Sequence, residues 1–451
     1  MPNRSHSSGT TAVRIHHINA YLNGGAGVAS RRLHEALLAE GIESRYWHSD
    51  PGAVAAGLEP EAAHRLPWGP PACWQIPAAL SFARRWLHER TLRSFYRRGR
   101  PARFGMYSSP ARPAATPLTG GLEACELLHL HWVSRTIDYA SFFASVPEAM
   151  PVVWTLHDMQ PLTGGCHQAF DCDRFRDACG DCPILGRPGP RDLSRRDHQI
   201  KQRAVAGRPM HLVTPSRWLE SLARQSSIFD PACTVQTIRN GISLEDFSPL
   251  DKAEARRRLG LPEQGLIVAY GAESLQNEPK GIREFLEAIS RLPSRCQVRG
   301  LLFGNDQPPA GVATVPLINL GFLATAEAQR VAYSAADIFA LPSHAETISQ
   351  TAVEALACGT PVVAFAVGGV PEIVRHGQTG LLARPRDAED LAAQMLVLAE
   401  DAAHRHRLAA AGGRLVHDEF TVAVQVRRYL ELYRQALVEH GGKPRPSGGR
   451  R

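Results

Sequence analysis

From residue 13 the chain alternates short apolar runs with amphipathic stretches in a regular order. VRIHHINA reads as a strand, NGGAGVAS as a glycine turn, RRLHEALLAEGI as an amphipathic helix and SRYWHS as a second strand, which predicts a β-α-β opening. Strand-like runs resume at CELLHLHW, MPVVWTLHD, HLVTPS and TVQTIRNGI, each ending in a polar or glycine-bearing loop. In open α/β sheets, ligand sites gather at such carboxyl ends. NGISLEDFSPL reads as a surface linker. A second series then starts near residue 265 with GLIVAYGAE, the helix KGIREFLEAISRL, QVRGLLFG and LINLGFL. The helix AEAQRVAYSAA, the strand DIFALPS, the helix SQTAVEALACG and the strand TPVVAFAV complete it. The expectation is an α/β protein of two Rossmann-like domains, 1–245 and 246–415, followed by a helix and a disordered tail over 416–451.

Composition narrows the class. With 44% hydrophobic and 21% charged residues in 451, the chain is an ordinary globular one. Its longest apolar runs break off well before the roughly 20 residues that span a bilayer. MPNRSHSSGTTAV lacks the apolar stretch of a secretory leader, so a cytoplasmic location is expected. A formal charge of +7 permits nucleic acid, anionic lipid or a phosphorylated substrate as partner, and its position must decide. Much of it lies in a helical insertion over about 66–120. Between Trp74 and Arg103, eight arginines face one acid, Glu89, with Phe82, Trp86, Leu92 and Phe95 interleaved. Such a stretch either lies on an anionic membrane surface, making the protein peripheral on the inner face, or is a solvated face with its aromatics packed inward. The pattern leaves both open.

Four of the nine cysteines fall within GGCHQAFDCDRFRDACGDCP, residues 164–183. Their spacing is C-x5-C-x6-C-x2-C, formed by Cys166, Cys172, Cys179 and Cys182. Four thiolates can close a tetrahedral zinc site with no open position, a structural arrangement in which His167 could replace one ligand. Free thiols in a loop, or two disulfides, are the alternatives. The scattered Cys73, Cys125, Cys233, Cys296 and Cys358 read as small buried hydrophobes.

Three features of the second half carry chemistry. YGAESLQNEPKG places Lys280 after a strand and just before a helix, where a cation and free backbone N–H groups can grip a diphosphate. HAETISQTAVEALACGTPVVAF holds Glu346 and Glu354 eight positions apart. With a helix starting near Ile348, Glu346 sits in the preceding loop and Glu354 inside the helix, so the two can address opposite ends of one ligand. AVGGVPEIVRHGQTGLLA offers backbone amides at Gly368 and Gly369.

Taken together, ETISQTAVE, EALACGTPVVAF and GGVPEIVRHGQTGLL resemble the E-x7-E region of retaining GT-B glycosyltransferases, the group that includes glycogen synthases. The resemblance covers about 240–400 closely and the first half more loosely. It implies a GT-B fold and transfer of a sugar from a UDP- or GDP-linked donor. Lys280, helped by amides near Ile348 and Ser349, would hold the diphosphate. Glu346 would face the donor sugar, and Glu354 would accept hydrogen bonds from the ribose. The family often has an arginine five residues before the lysine; Leu275 stands there instead. In the first half NGGAGVAS resembles the family's glycine turn, with Gly24 and Gly25 letting backbone approach a phosphate or acceptor. His157 matches a histidine beside the transferred sugar, with Asp158 next to it. The histidine-aspartate strand end followed by GGCH resembles colanic-acid and exopolysaccharide transferases, which implies a glycan or lipid-linked acceptor.

No metal is expected to be required for catalysis, in keeping with the lack of a convincing DxD. Two other readings stay in view. A nucleotide-sugar epimerase or hydrolase of the same architecture shares these motifs, whereas a zinc-dependent nucleic-acid-binding protein leaves Lys280 and both glutamates without a role. No nucleic-acid partner is therefore expected.

Overall fold

The computed structural model describes residues 13–50, 63–65, 106–111 and 125–441, with scattered positions between 86 and 98. Two parallel sheets, one in each half, organise them. The first holds β1 (Arg14–Asn19), β2 (Glu43–His48), β3 (Ala63–Arg65), β4 (Leu127–Leu130), β5 (Val152–Thr155), β6 (His211–Thr214) and β7 (Thr234–Thr237), in the order β3-β2-β1-β4-β5-β6-β7. The second holds β8 (Ile267–Ser274), β9 (Arg299–Asn305), β10 (Leu317–Asn319), β11 (Ile338–Leu341), β12 (Val362–Phe365) and β13 (Gly380–Ala383), in the order β10-β9-β8-β11-β12-β13. Both are doubly wound α/β sheets, as the two series in the sequence predict. Their central strands are buried along their whole length at β4, β5, β11 and β12. Burial on both faces explains why these strands are near-continuous apolar runs rather than alternating ones.

Each order reverses once, between β1 and β4 in the first sheet and between β8 and β11 in the second. A crevice opens at such a switch point outside the carboxyl ends of the two strands. The candidate residues sit at both crevices.

The chain does not end where its second domain ends. The helix Val422–Glu439 returns to the first sheet and buries Val426, Tyr429, Leu432, Tyr433 and Ala436 against Ile15, Leu33, Leu127, Val153 and Val213. The segment read as an appended helix is thus part of the first domain's core. The tail beyond 441 and most of the basic stretch 74–103 lie outside the described residues. Within that stretch, the guanidinium of Arg187 stands 4.1 Å from the Phe95 ring centroid, and Gly186 N–H donates to the Tyr96 carbonyl. These contacts tie the insertion to the segment that follows the cysteines. Among the described residues no helix is long and apolar enough to cross a membrane.

Candidate functional site

The second crevice is built from backbone outward. After β8 the chain turns through Glu278–Lys280 and into the helix Ile282–Ser290 by way of Gly281, whose φ is +77°. A Cβ there would stand 1.9 Å from the Pro342 carbonyl oxygen, so only glycine lets this turn press against the loop after β11. The His344 amide donates to the Pro279 carbonyl at 2.9 Å and locks the two loops together. Lys280 Nζ consequently lies 2.6 Å from Glu346 Oε1, with 37% of the lysine side chain and 11% of the glutamate side chain exposed. Lys280 and Glu346, 66 residues apart, thus form one ion pair.

Gly368 and Gly369 both pack against this loop, which takes the Gly369 amide. Gly369 N–H donates to the Glu346 carbonyl at 3.1 Å, and a Cβ on Gly368 would meet that same oxygen at 1.8 Å. The helix begins at Gln350, two residues later than the sequence suggests. Ser349 caps it by accepting from the Ala352 amide, and Ile348 is buried. Leu275 is fully buried in the domain core.

Glu354 lies inside that helix, as the sequence suggests. It is buried, and its carboxylate accepts from Arg32 at 3.2 Å and from the Tyr333 hydroxyl at 3.1 Å. Arg32 belongs to the first domain's helix Gly24–Ala39, so this pair joins the two halves of the molecule. Burial pushes the Glu354 carboxyl upward, and the Arg32 charge opposes that.

That helix opens at Gly24, φ +73°, and Asn23 at its N-cap makes no side-chain capping bond. A Cβ on Gly24 or Gly25 would touch nothing within 4 Å, so the space beside both is open. Gly27 is the crowded glycine of the motif, with the Leu22 carbonyl carbon 2.5 Å from where its Cβ would stand.

The first crevice holds a column of imidazoles. His157 Nε2 lies 3.2 Å from His131 Nδ1, and His131 Nε2 lies 3.0 Å from His17 Nδ1. His129 beside them spends Nδ1 on the Tyr433 hydroxyl at 2.7 Å and Nε2 on Thr155 Oγ1 at 2.8 Å. Burial holds His157 down to about 4, and keeps His17, His129 and His131 well below the ordinary histidine value. All four are neutral near pH 7. His17 Nε2 is buried without a partner.

Asp158 is committed to structure. Its carboxylate accepts from Trp132 Nε1 at 2.6 Å and from the Gln160 amide at 2.8 Å, and pairs with His167 Nδ1 at 2.6 Å. These partners, with the nearby His167 charge, outweigh desolvation and lower its carboxyl below the usual range. His167 spends its other nitrogen on Ser108 Oγ at 3.0 Å, so it is not a metal-ligand candidate and the sequence suggestion is corrected.

Two contacts close the cleft between the crevices. Thr347 Oγ1 donates to the His157 carbonyl at 2.9 Å, and Gln168 Nε2 donates to the Ala345 carbonyl at 3.3 Å. The strand end with His157 and the cysteine-rich loop therefore both rest against the Glu346 loop.

For metals, the only three ligand atoms within 4.8 Å of one another among the described residues belong to His17, His129 and His131. Partner counting argues against an ion there, since both His129 nitrogens hold hydroxyls and the facing nitrogens of His17 and His131 share a hydrogen bond. The four cysteines line one small cavity together.

Sequence reasoning missed His17, His129, His131 and Arg32. The histidines left a signal: HHIN and LHLHW put His129 and His131 on one face of β4, with His17 in register beside His129. Arg32 left none, because its partner lies in the other domain.

A family model described as "Glycosyl transferases group 1" matches residues 266–401. A D-inositol 3-phosphate glycosyltransferase from Thermobispora bispora is 30% identical over 333 residues, covering 69% of this chain and 71% of the relative. One from Stackebrandtia nassauensis is 34% identical over 229 residues, covering 46% of this chain and 50% of the relative. The chain thus spans about half the length of several curated relatives it matches. Among solved structures, sucrose-phosphate synthase from Thermosynechococcus elongatus superposes with a TM-score of 0.63 at 20% identity, covering 95% of this chain and all of that one. Anabaena HepE, solved with UDP and glucose, gives 0.63 at 16% identity, covering 94% and 100%. The two facing Rossmann-like domains are the GT-B arrangement. By the relative matched along two thirds of its length, and by the family model over the second domain, the chain belongs to the group 1 glycosyltransferases.

Proposed function

We propose that this protein transfers a glycosyl group, with retention, from a UDP- or GDP-linked sugar to a hydroxyl of a glycan or lipid-linked saccharide. The observation that carries the reading is the Lys280–Glu346 pair at the joined ends of β8 and β11, held against the His157 strand end by Thr347. A diphosphate leaving group needs its developing charge matched, and Lys280 is a cation with a partly exposed side chain at a switch-point crevice. Glu346 restrains that cation and would address the sugar hydroxyls. In the step proposed, the bond between C1 and the phosphate oxygen breaks with its electron pair on the phosphate. The acceptor oxygen bonds to C1 on the same face, and its proton passes to the leaving phosphate. His157, neutral at working pH, would hold a sugar hydroxyl without adding charge.

Glu354 already holds Arg32, so a ribose would share or replace that contact. UDP and glucose in a neighbour of this fold support a nucleotide-sugar donor. Inositol 3-phosphate, which stands in the relatives' names, is tested beside saccharide acceptors.

The experiment is a thermal-shift panel of UDP- and GDP-sugars, since a matched donor stabilises the folded state by mass action. Transfer of labelled sugar from the best donor to a panel of acceptors follows, with anomeric configuration read by NMR. Stabilisation by one donor and acceptor-dependent transfer are expected. Release of free sugar or an epimer at the full rate without acceptor would overturn the transferase reading.

A further inference from the structure

The cysteine-rich loop is folded around a void. Cys166, Cys172, Cys179 and Cys182 all line it, and its interior has room for the centre of one water-sized sphere, about 10 Å³. That is the scale of a single small occupant. All four are free thiols, and Cys166 and Cys182 are buried.

The backbone around them is arranged as a sharp knuckle. Cys179, Gly180 and Asp181 have φ of +56°, +105° and +44°, a run that turns the chain so that Cys179 and Cys182 face the same space. Two non-glycine residues in the left-handed region cost free energy that the surrounding loop must offset. A donor points at one sulfur as well. The Gly164 amide donates to Cys179 Sγ at 3.3 Å. An N–H directed at sulfur favours the thiolate over the thiol.

A buried cation supplies the independent observation. Lys201 is fully buried, donates to the carbonyls of Gln160 and Thr163, and interacts electrostatically with Cys166 and Cys179. Asp197 and Asp158 also face it, and Asp197 accepts from the Tyr107 hydroxyl at 3.1 Å. A divalent ion held by four thiolates carries a net double negative charge, which a buried lysine beside it partly neutralises.

We propose that Cys166, Cys172, Cys179 and Cys182 bind one zinc ion as a closed, four-thiolate structural site, with Lys201 as its buried counter-charge. No three of the sulfurs lie within 4.8 Å of one another, so binding the ion would require rotation about the Cα–Cβ bonds to bring them together. The site fixes the loop whose Gln168 donates to the Ala345 carbonyl and whose His167 orients Asp158. Zinc therefore acts on the cleft at one remove, as a brace. This assignment is independent of the reaction proposed above.

The test is metal analysis of the full chain purified under reducing conditions without chelator. About one zinc per chain is expected, released in step with four thiols on titration with a mercurial. Cobalt substitution should give the absorption of a tetrahedral thiolate complex, and the double variant Cys179→Ser, Cys182→Ser should lose it. Cys296→Ser, outside the cavity, should keep the full metal content. Wild-type protein without stoichiometric zinc, or with mass-mapped disulfides among these four residues, overturns the proposal. So does zinc retained in full by a folded double variant. Should that variant fail to fold, the metal content and thiol count of the wild-type chain decide alone.

Discussion

Thr347 Oγ1 donates to the main-chain carbonyl of His157 at 2.9 Å, across the cleft between the two domains. The bond joins the residue after Glu346 to the end of β5, so it sets how far the Glu346 loop stands from the imidazole column. A hydrogen bond of this kind contributes about 1 kcal/mol. Thr347→Val keeps the shape and removes the donor. Transfer is expected to fall about three- to tenfold with the melting temperature nearly unchanged. Wild-type kinetics in this variant would show that the bond does not set the cleft.

Lys280 and Glu346 lose different things when cut. The pair is partly exposed at the lysine, so its contribution to folding is small. Lys280→Ala and Glu346→Gln should therefore melt within a few degrees of wild type. Transfer should drop about a hundredfold or more in each, the scale seen when a preorganised charge at a reacting centre is removed. Near-normal transfer in both variants would refute the assignment of this crevice as the donor site.

The parts of the molecule that sequence could reveal are those governed by local rules. Parallel strands buried on both faces leave apolar runs, which is why both series were readable. Lys280 and Glu346 each follow such a run, and two strand ends at one switch point bring them together. Long-range partners were not readable. The amphipathic pattern of Val422–Glu439 states that one face is buried, and nothing local states that it is buried against β1, β4, β5 and β6. Arg32 is an ordinary helix arginine until Glu354, in the other domain, is placed beside it. His167 had the chemistry of a ligand, and only geometry showed both its nitrogens spent on Asp158 and Ser108.

The glycines separate packing from ligand approach. Gly368→Ala would put a Cβ 1.8 Å from the Glu346 carbonyl oxygen at a φ of +53°, so the Glu346 loop must move. Strain of this kind costs about 1–3 kcal/mol. Both melting temperature and transfer should fall. Gly25→Ala meets nothing within 4 Å, and its Cβ adds no strain. Unchanged or slightly raised stability is expected, with reduced transfer because a ligand must approach there. Full activity in Gly25→Ala would remove the turn from the site.

The imidazole column makes folding sensitive to acid. His157 is held down to about 4 from an ordinary 6.5, first by burial, and burial also holds His17, His129 and His131 well below that ordinary value. Each faces like partners: His131 meets His17, His34, His129 and His157, and only Asp158 raises His157. Between about 6.5 and 4 the unfolded chain binds protons that the folded column refuses. Stability is therefore complete above 6.5 and is lost as pH falls toward 4. Glu354 acts in the opposite sense, as do Glu35 and Asp197, since a raised carboxyl makes the folded state take a proton that the unfolded chain releases. The four histidines of the column outnumber these three carboxyls, so the net slope is expected to follow the column. Urea midpoints at pH 7, 6 and 5 should fall in order. His131→Gln keeps a hydrogen-bonding side chain between His17 and His157 and cannot titrate, so its midpoints should fall less steeply. A wild-type midpoint that is flat from pH 7 to pH 5 would mean that the column takes up protons in the folded state as it does in the unfolded chain, and that burial does not hold His157 neutral below its ordinary range.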